Sequence, residues 1–383
     1  MFLGGFESEF PQFCRSQRES FEWLAAAHAR AAVTASEHTE NLEQWQRRIA
    51  RLLKRYSCSP ENIGHRFSEI ADFMHTDWPR MTIFNLHENP RGSGLSVRNA
   101  FYARTATRVV EKLFAGCEHP PSNLIHVSCT GYVSPSAVQR LIELKKWNSR
   151  TQAAQVYHMG CYAALPAVRI AAALLVNGAN KRSRTDIVHT ELCTLHFNPN
   201  NHSPEQLIVQ TLFADGHIRY SIAPDETGAH QRNGGAFEIL AMNEAMVPES
   251  LDDMTWVLSD SGFQMTLSRD VPEKIASSLG MFLSTLFGDA GLNYSKESRD
   301  AVFAIHPGGP RILDSLAELL RLEPRQLQLS RAVLWERGNM SSATLPHIWM
   351  AAAADGSVKQ GTLVVSLGFG PGLTMAGAVF RKC

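Results

Sequence analysis

The chain has 383 residues, 44% of them hydrophobic, and its 37 lysines and arginines balance 37 aspartates and glutamates. That length supports a large core in two lobes or one doubled domain, and the even charge offers no basic surface for nucleic acid. The opening Met1-Phe2-Leu3-Gly4-Gly5 meets Glu7 and Glu9 without a basic, apolar leader, and the most apolar run, residues 170–176, is too short to cross a bilayer, so neither secretion nor a membrane span is expected. Seven widely spaced cysteines (14, 58, 117, 129, 161, 193 and 383) suit a reducing cytoplasm better than a disulfide scaffold. Neither C-x-x-C nor H-E-x-x-H occurs, so no metal is expected.

From residue 16 to about 55 the period is helical, in two runs. Phe21, Leu24, Ala25 and Ala29 share a face of the first; after a polar break at 38–41, Ile49, Leu52 and Leu53 mark the second. Arg48, Arg51 and Arg55 fall on one stripe of this second run, which serves either as a solvated face or as a strip for phosphate groups. A helix is expected over 98–114, a strand over 124–128, a helix over 137–144, a strand over 154–158, a helix from about 161 to 176 and a strand over 186–193. Short branched-rich strands alternating with helices predict a sheet covered on both faces, an α/β arrangement.

The polar, glycine-rich stretch 228–235 is the expected lobe boundary, dividing the chain into 1–228 and 229–383. Beyond it, strands are expected at 254–258 and 265–267, and a helix from Asp270-Val271-Pro272 to 286, with Asp270 as cap. A strand over 301–305 ends at His306, Gly308-Gly309 follow, and a helix carries Ile312, Leu313, Leu316 and Leu319. Two last strands flank a glycine loop at 368–372.

Three residues stand out chemically. Cys161 follows Gly160 at a strand-to-helix turn, where a helix N-terminus favours a thiolate; a buried structural thiol is the plainer account. His306 ends a strand before Gly-Gly, where sheet enzymes present side chains to a crevice. Asn339 follows Gly338 at a helix end, a position that also suits a cap.

With their contexts, Tyr157-His158-Met159-Gly160-Cys161, Ala304-Ile305-His306-Pro307-Gly308-Gly309, Gly338-Asn339-Met340-Ser341-Ser342 and Gly368-Phe369-Gly370-Pro371-Gly372, these residues resemble the catalytic triad of the type III polyketide synthases, the chalcone and stilbene synthase family. The resemblance runs from about residue 95 to the C-terminus. It implies a thiolase-like fold with two duplicated α-β-α-β-α halves, the nucleophile in the first and the histidine and asparagine in the second. It also implies iterative decarboxylative condensation of malonyl-CoA onto an acyl starter thioester. Cys161 would hold the acyl chain, His306 would pair with the thiolate, and His306 with Asn339 would stabilise the enolate. Coenzyme A thioesters are then substrates, no further cofactor is needed, and Arg48, Arg51 and Arg55 would meet the coenzyme's phosphates.

The positions lining the family's cavity are matched by Ser134, Cys193, His196, Phe213, Met265 and Ser341. Phe213, just before Ala-Asp-Gly, would separate the coenzyme tunnel from the elongation cavity; core packing is its other reading. Cys193 and His196 stand where plant chalcone synthases carry threonines, and Ser134 where they carry methionine. These replacements point away from a chalcone and toward a bacterial-type enzyme making a pyrone or resorcinol from an aliphatic starter. The resemblance further implies a homodimer packed across 125–160, where Val138, Leu141 and Leu144 form an apolar face that either a partner or core packing would explain. Delivery of the starter by an acyl-carrier protein stays open. So does the alternative of an initiation-class 3-oxoacyl-(acyl-carrier-protein) synthase, which makes one condensation with the same three residues.

Overall fold

The computed structural model describes residues 1–35, 41–176, 184–224 and 235–383. The expected lobe boundary at 228/229 lies outside the described residues. The chain opens with strands β1 (Phe2–Glu9) and β2 (Phe13–Ser16), helices α1 (Gln17–Ala35) and α2 (Leu42–Tyr56), and strand β3 (His65–Ser68). Helix α3 (Leu95–Leu113), β4 (Asn123–Ser128), α4 (Ala137–Leu144), β5 (Gln152–Tyr157), α5 (Ala164–Val176), β6 (Thr185–Leu192), α6 (Pro204–Leu212) and β7 (Asp215–Ala223) follow. The remaining strands are β8 (Phe237–Met246), β9 (Met254–Ser259), β10 (Gly262–Leu267), β11 (Val302–Ile305), β12 (Leu363–Gly370) and β13 (Thr374–Lys382).

Nine strands form one mixed sheet in the order β11-β12-β13-β8-β1-β7-β6-β4-β5. Strand β4 runs parallel to both β5 and β6, and β11 parallel to β12; the central pairs, including β1 on β7 and on β8, are antiparallel. Side chains alternate between its two faces, as a strand period of two requires. On β12 and β13, Val364, Ala376, Ala378 and Phe380 join the cluster that holds α5 and helix Thr344–Ala354. Val365, Leu367, Met375 and Val379 turn to the opposite side, onto helix Val271–Asp289. Helix α3 covers β6 on that same side through Val188 and Leu192.

Helix α5 is apolar nearly all round (ALPAVRIAAALLV) because it lies inside the molecule, and no described helix is long and apolar enough by itself to cross a membrane. Helix α4 begins with a capping box between Ser136 and Gln139. Asp270 does occupy the N-cap of Val271–Asp289, but its own helical backbone angles keep its side chain from bonding a backbone N–H. Val138 and Leu141, expected on a face open to a partner, are buried in the core; Leu144 alone of the three is exposed.

Candidate active site

Strand β5 passes through His158 (φ +62) to Gly160 (φ +82), so the chain reverses sharply before Cys161. A Cβ on Gly160 would lie 2.3 Å from Pro371 Cδ, so both the left-handed backbone and the packing demand glycine here. The same contact explains the loop after β12. Gly370 leaves room for the Tyr162 ring, which a Cβ there would meet at 2.1 Å, and Pro371 abuts the turn. Those glycines therefore admit the nucleophile turn against the sheet. Cys161 is buried, with its sulfur 3.9 Å from Ser341 Oγ.

His306 is fixed at the end of β11, where its N–H donates to Leu367 O at 2.8 Å. Its ring is 1% exposed, and neither ring nitrogen has a partner among the described residues. Gly338 (φ +73), not Asn339, terminates helix Pro324–Arg337. Asn339 instead bridges to Phe213: its N–H donates to Leu212 O at 3.0 Å and its carbonyl accepts from Ala214 N at 2.8 Å. Its Oδ1 accepts from Ser341 N at 2.8 Å and from Thr344 Oγ1 at 3.4 Å. That fixes the amide's orientation and leaves Nδ2 buried without a partner among the described residues. A buried amide donor left unsatisfied costs about 1–3 kcal/mol.

Cys161, His306 and Asn339 line one chamber, with Ile208, Leu212, Val209, Phe213, Met254 and Met265 among its walls. A second chamber, about 810 Å³ with its open mouth, also reaches Cys161, Phe213 and Met265 and adds Cys129, Thr130, Cys193, His196, Trp256, Phe263 and Ser341. Phe213 and Met265 thus stand in the partition with the thiol beside them. Of the expected cavity residues, Ser134 alone is absent from both walls; it is exposed, beside a cis bond to Pro135. Arg48, Arg51 and Arg55 are exposed on α2 and line neither chamber, although α2 packs on α6, which supplies one wall. Arg48 lies over the Trp45 ring at 5.0 Å and Arg55 over Tyr56 at 5.2 Å.

His196 and His306 are chemically distinct. His196 has both nitrogens engaged, Nε2 donating to Thr130 O at 2.8 Å and Nδ1 accepting from Phe263 N at 3.1 Å, and it stacks on Phe263 at 4.2 Å. It is a wall. His306 is free to act. Sequence reasoning missed Trp256, whose Nε1 donates to Cys129 O at 2.7 Å, because a lone tryptophan in a short strand gives no positional signal. It also missed Glu191, a fully buried carboxyl whose charge reaches Cys161 and that accepts from Cys129 N, Thr130 Oγ1 and Ser342 Oγ. Burial pushes Glu191 up to about 7, against the pull of those donors.

Burial pushes the Cys161 thiol up to about 12, the Ser341 hydroxyl opposing, the Glu191 charge adding to the rise and Asn339 opposing. Burial likewise pushes His306 down to about 3. Burial, the first cause of both shifts, runs opposite to the lowering of the thiol expected from a helix N-terminus and a histidine, and favours the uncharged thiol and imidazole. Among the described residues no group of three or more His, Cys, Asp or Glu is arranged to hold a metal.

Sequence models of the chalcone and stilbene synthases match the chain twice, the N-terminal domain over 29–226 and the C-terminal domain over 238–383. The chain is 31% identical over 265 residues to the "Probable polyketide synthase 1" of Dictyostelium discoideum, covering 68% of this chain but only 8% of that protein. It is 30% identical over 296 residues to the 1,3,6,8-tetrahydroxynaphthalene synthase of Streptomyces griseus, covering 75% of each. The crystal structure of the C-terminal type III polyketide synthase domain of "Steely1", a type I/III hybrid from Dictyostelium, superposes with a TM-score of 0.82 at 24% identity over 100% of this chain and 99% of that one. The mixed sheet and its flanking helices are thus consistent with a thiolase-like architecture. The chain belongs to the chalcone and stilbene synthase family, the type III polyketide synthases. It is an acyltransferase of that class, whose work is iterative condensation and cyclisation.

Proposed function

We propose that Cys161 carries the growing acyl chain and that His306 and Asn339 stabilise the enolate formed when a malonyl group loses carbon dioxide. One observation carries this assignment: three buried nitrogens, both of His306 and Nδ2 of Asn339, lack partners among the described residues and sit in the chamber that holds the thiol. The one N–H of the neutral His306 ring and the Asn339 amide N–H are donors worth most where a negative oxygen develops in a dry site. Asn339 donates without being able to remove the proton, and a neutral His306 ring takes the Cys161 proton as the thioester forms and passes it to the departing coenzyme A thiolate. The acyl chain then occupies the larger chamber, on whose walls Cys193, His196, Phe213, Met265 and Ser341 set its length and folding, with Phe213 as the gate between chambers.

The product in this reading is a pyrone or resorcinol made from an aliphatic starter by a bacterial-type enzyme; the likeness to a Streptomyces synthase supports that lineage. Ser134 belongs to the same reading as a substrate contact, although its exposure means the support is positional only. Two thiolase-like halves, 1–228 and 229–383, duplicated as α-β-α-β-α, are part of it as well; the separate matches over 29–226 and 238–383 favour this division. So is residence in the cytoplasm. Mass spectrometry of products from malonyl-CoA and acyl-CoA starters of rising length tests the activity. Two or more extensions with ring closure are expected, and a single linear condensation would point to an initiation-class ketoacyl synthase. An acyl-carrier protein that outcompetes coenzyme A as starter donor would reassign the delivery route.

Two expectations attach to the surface. Arg48, Arg51 and Arg55 are assigned to the coenzyme's phosphates, supported by their exposure as one stripe on a helix that backs the α6 wall. Their triple alanine variant is expected to raise the half-saturating acyl-CoA concentration about tenfold with little change in maximal rate, the mark of uniform binding. Unchanged acyl-CoA dependence would return the stripe to plain solvation. The protein is also expected to be a homodimer, with twice the 42.5 kDa chain mass in light scattering at micromolar concentration. A monomer mass would refute that.

A further inference from the structure

Arg66, on β3, is a buried cation in the wall of the larger chamber, and the assignments above give it no task. It is 6% exposed, and burial draws its guanidinium down to about 10. A single nitrogen, Nη1, donates to Gln210 O at 2.6 Å and to Phe213 O at 3.0 Å, while Nε has no partner among the described residues. Both acceptors lie at the C-terminal end of α6, where carbonyls left over by the helix attract a cation.

The peptide unit between Phe213 and Ala214 is therefore gripped from two sides. Its oxygen takes the Arg66 bond, and its N–H donates to the carbonyl of Asn339 at 2.8 Å. The Asn339 N–H closes the ladder on Leu212 O at 3.0 Å. Behind it the arginine stem packs on Gly338, where a Cβ would lie 3.5 Å from Arg66 Cγ and 3.1 Å from Leu212 O. One rigid amide plane thus links a buried positive charge to the backbone of the residue whose Nδ2 faces the thiol chamber.

We propose that Arg66 is a positioning residue for decarboxylation: it locks the 213–214 peptide plane and, through it, the register of Asn339 against α6. The proposal rests on the reading of Asn339 as an enolate donor. Charge assistance makes these bonds stiffer than neutral ones, and a misplacement of about 1 Å in such a donor costs up to about 10²-fold in rate. Because one nitrogen makes both bonds, a lysine ammonium can replace it.

The test uses the full chain and two separate readouts, carbon dioxide released from malonyl-CoA without a starter, and acylation of Cys161 by an acyl-CoA. Arg66→Met is expected to lower carbon dioxide release about tenfold or more, with the malonyl-CoA KM and the acylation rate each changed by no more than about threefold. Arg66→Lys is expected to restore release to within about threefold, and Arg66→Met combined with Asn339→Ala should lose no more than Asn339→Ala alone. If Arg66→Met does not fold, Arg66→Gln, whose shorter, uncharged amide stops short of these carbonyls, takes its place against Arg66→Lys. Loss of both readouts in proportion to the folded fraction, or wild-type release alongside an impaired Asn339→Ala, would overturn the proposal. If Asn339→Ala itself kept wild-type release, the role of Asn339 would fall first, and that of Arg66 with it.

Discussion

Replacing Cys161 by alanine is expected to abolish both the acyl-enzyme and the product while leaving slow decarboxylation of malonyl-CoA measurable. Loading needs the sulfur; loss of carbon dioxide needs only donors around the thioester carbonyl, and His306 and Asn339 remain in the chamber. The thiol's burial adds a pH signature. With its pKa pushed up to about 12, only a small thiolate fraction exists at neutral pH, and that fraction rises tenfold per pH unit until the thiol's own pKa. Alkylation of Cys161 by iodoacetamide, followed on its own peptide by mass spectrometry, should therefore climb about tenfold per unit between pH 6 and 9. A plateau across neutral pH would mean that a thiolate–imidazolium pair survives the burial, and that His306 titrates above the value near 3 that its enclosure gives.

The outer, parallel parts of the sheet were legible because their strands are short, apolar and bounded by turns. Strands β4, β5, β6 and β11 and helix α4 lie within a residue or two of expectation, while α3 begins three residues before it and helix Val271–Asp289 ends three residues beyond it. The central antiparallel strands β1, β7 and β8 were not anticipated. Strand β1 carries Gly4, Gly5 and two glutamates, and β7 reads DGHIRYSIA, with Asp215, His217 and Arg219 all buried. Their polar side chains are paired inside: His217 Nε2 meets Glu69 at 3.1 Å and Arg219 meets Glu7 at 2.6 Å. Strand β7 keeps the strand period, Ile218, Tyr220 and Ile222 on the core face against His217, Arg219 and Ser221, so it is legible in its sequence, whereas in β1 the Gly4-Gly5 pair breaks the period.

The site divides along similar lines. Gly160, Cys161, His306 and Asn339 announced themselves because each sits in or near a glycine turn, with positive φ at Gly160, Gly309 and Gly338. The resemblance then put them into one constellation, which spacing alone did not. Glu191 and Arg66 gave no signal, since a buried charge looks like any surface charge until its hydrogen bonds are known. The fate of Asn339 is the instructive case. A helix-end asparagine was a credible cap, yet the cap is Gly338, and the asparagine's backbone is spent on α6 while its side chain is aimed by Ser341 and Thr344.

That geometry sets the largest expected separation of half-reactions. In Asn339→Ala the starter should still load onto Cys161, because neither the sulfur nor His306 is touched. Carbon dioxide release and elongation should fall about 10²-fold or more, close to 3 kcal/mol, as when one donor to a developing oxyanion is removed. In His306→Ala both steps should suffer, since the ring takes the thiol's proton in one and donates to the enolate oxygen in the other. The loss in Asn339→Ala has a structural control. Asn339 Oδ1 also holds Ser341, whose φ of +49 is unusual for a residue with a Cβ, so alanine releases that turn as well. Asn339→Asp keeps the Oδ1 acceptor and the Ser341 bond but replaces the donor with an oxygen. If the donor is what matters, Asn339→Asp should decarboxylate as poorly as Asn339→Ala at a pH where its carboxyl is ionised and recover as pH falls, because the protonated carboxyl can donate. Recovery of carbon dioxide release in Asn339→Asp at every pH, ionised or not, would instead assign the residue to holding the Ser341 turn and remove it from the chemistry.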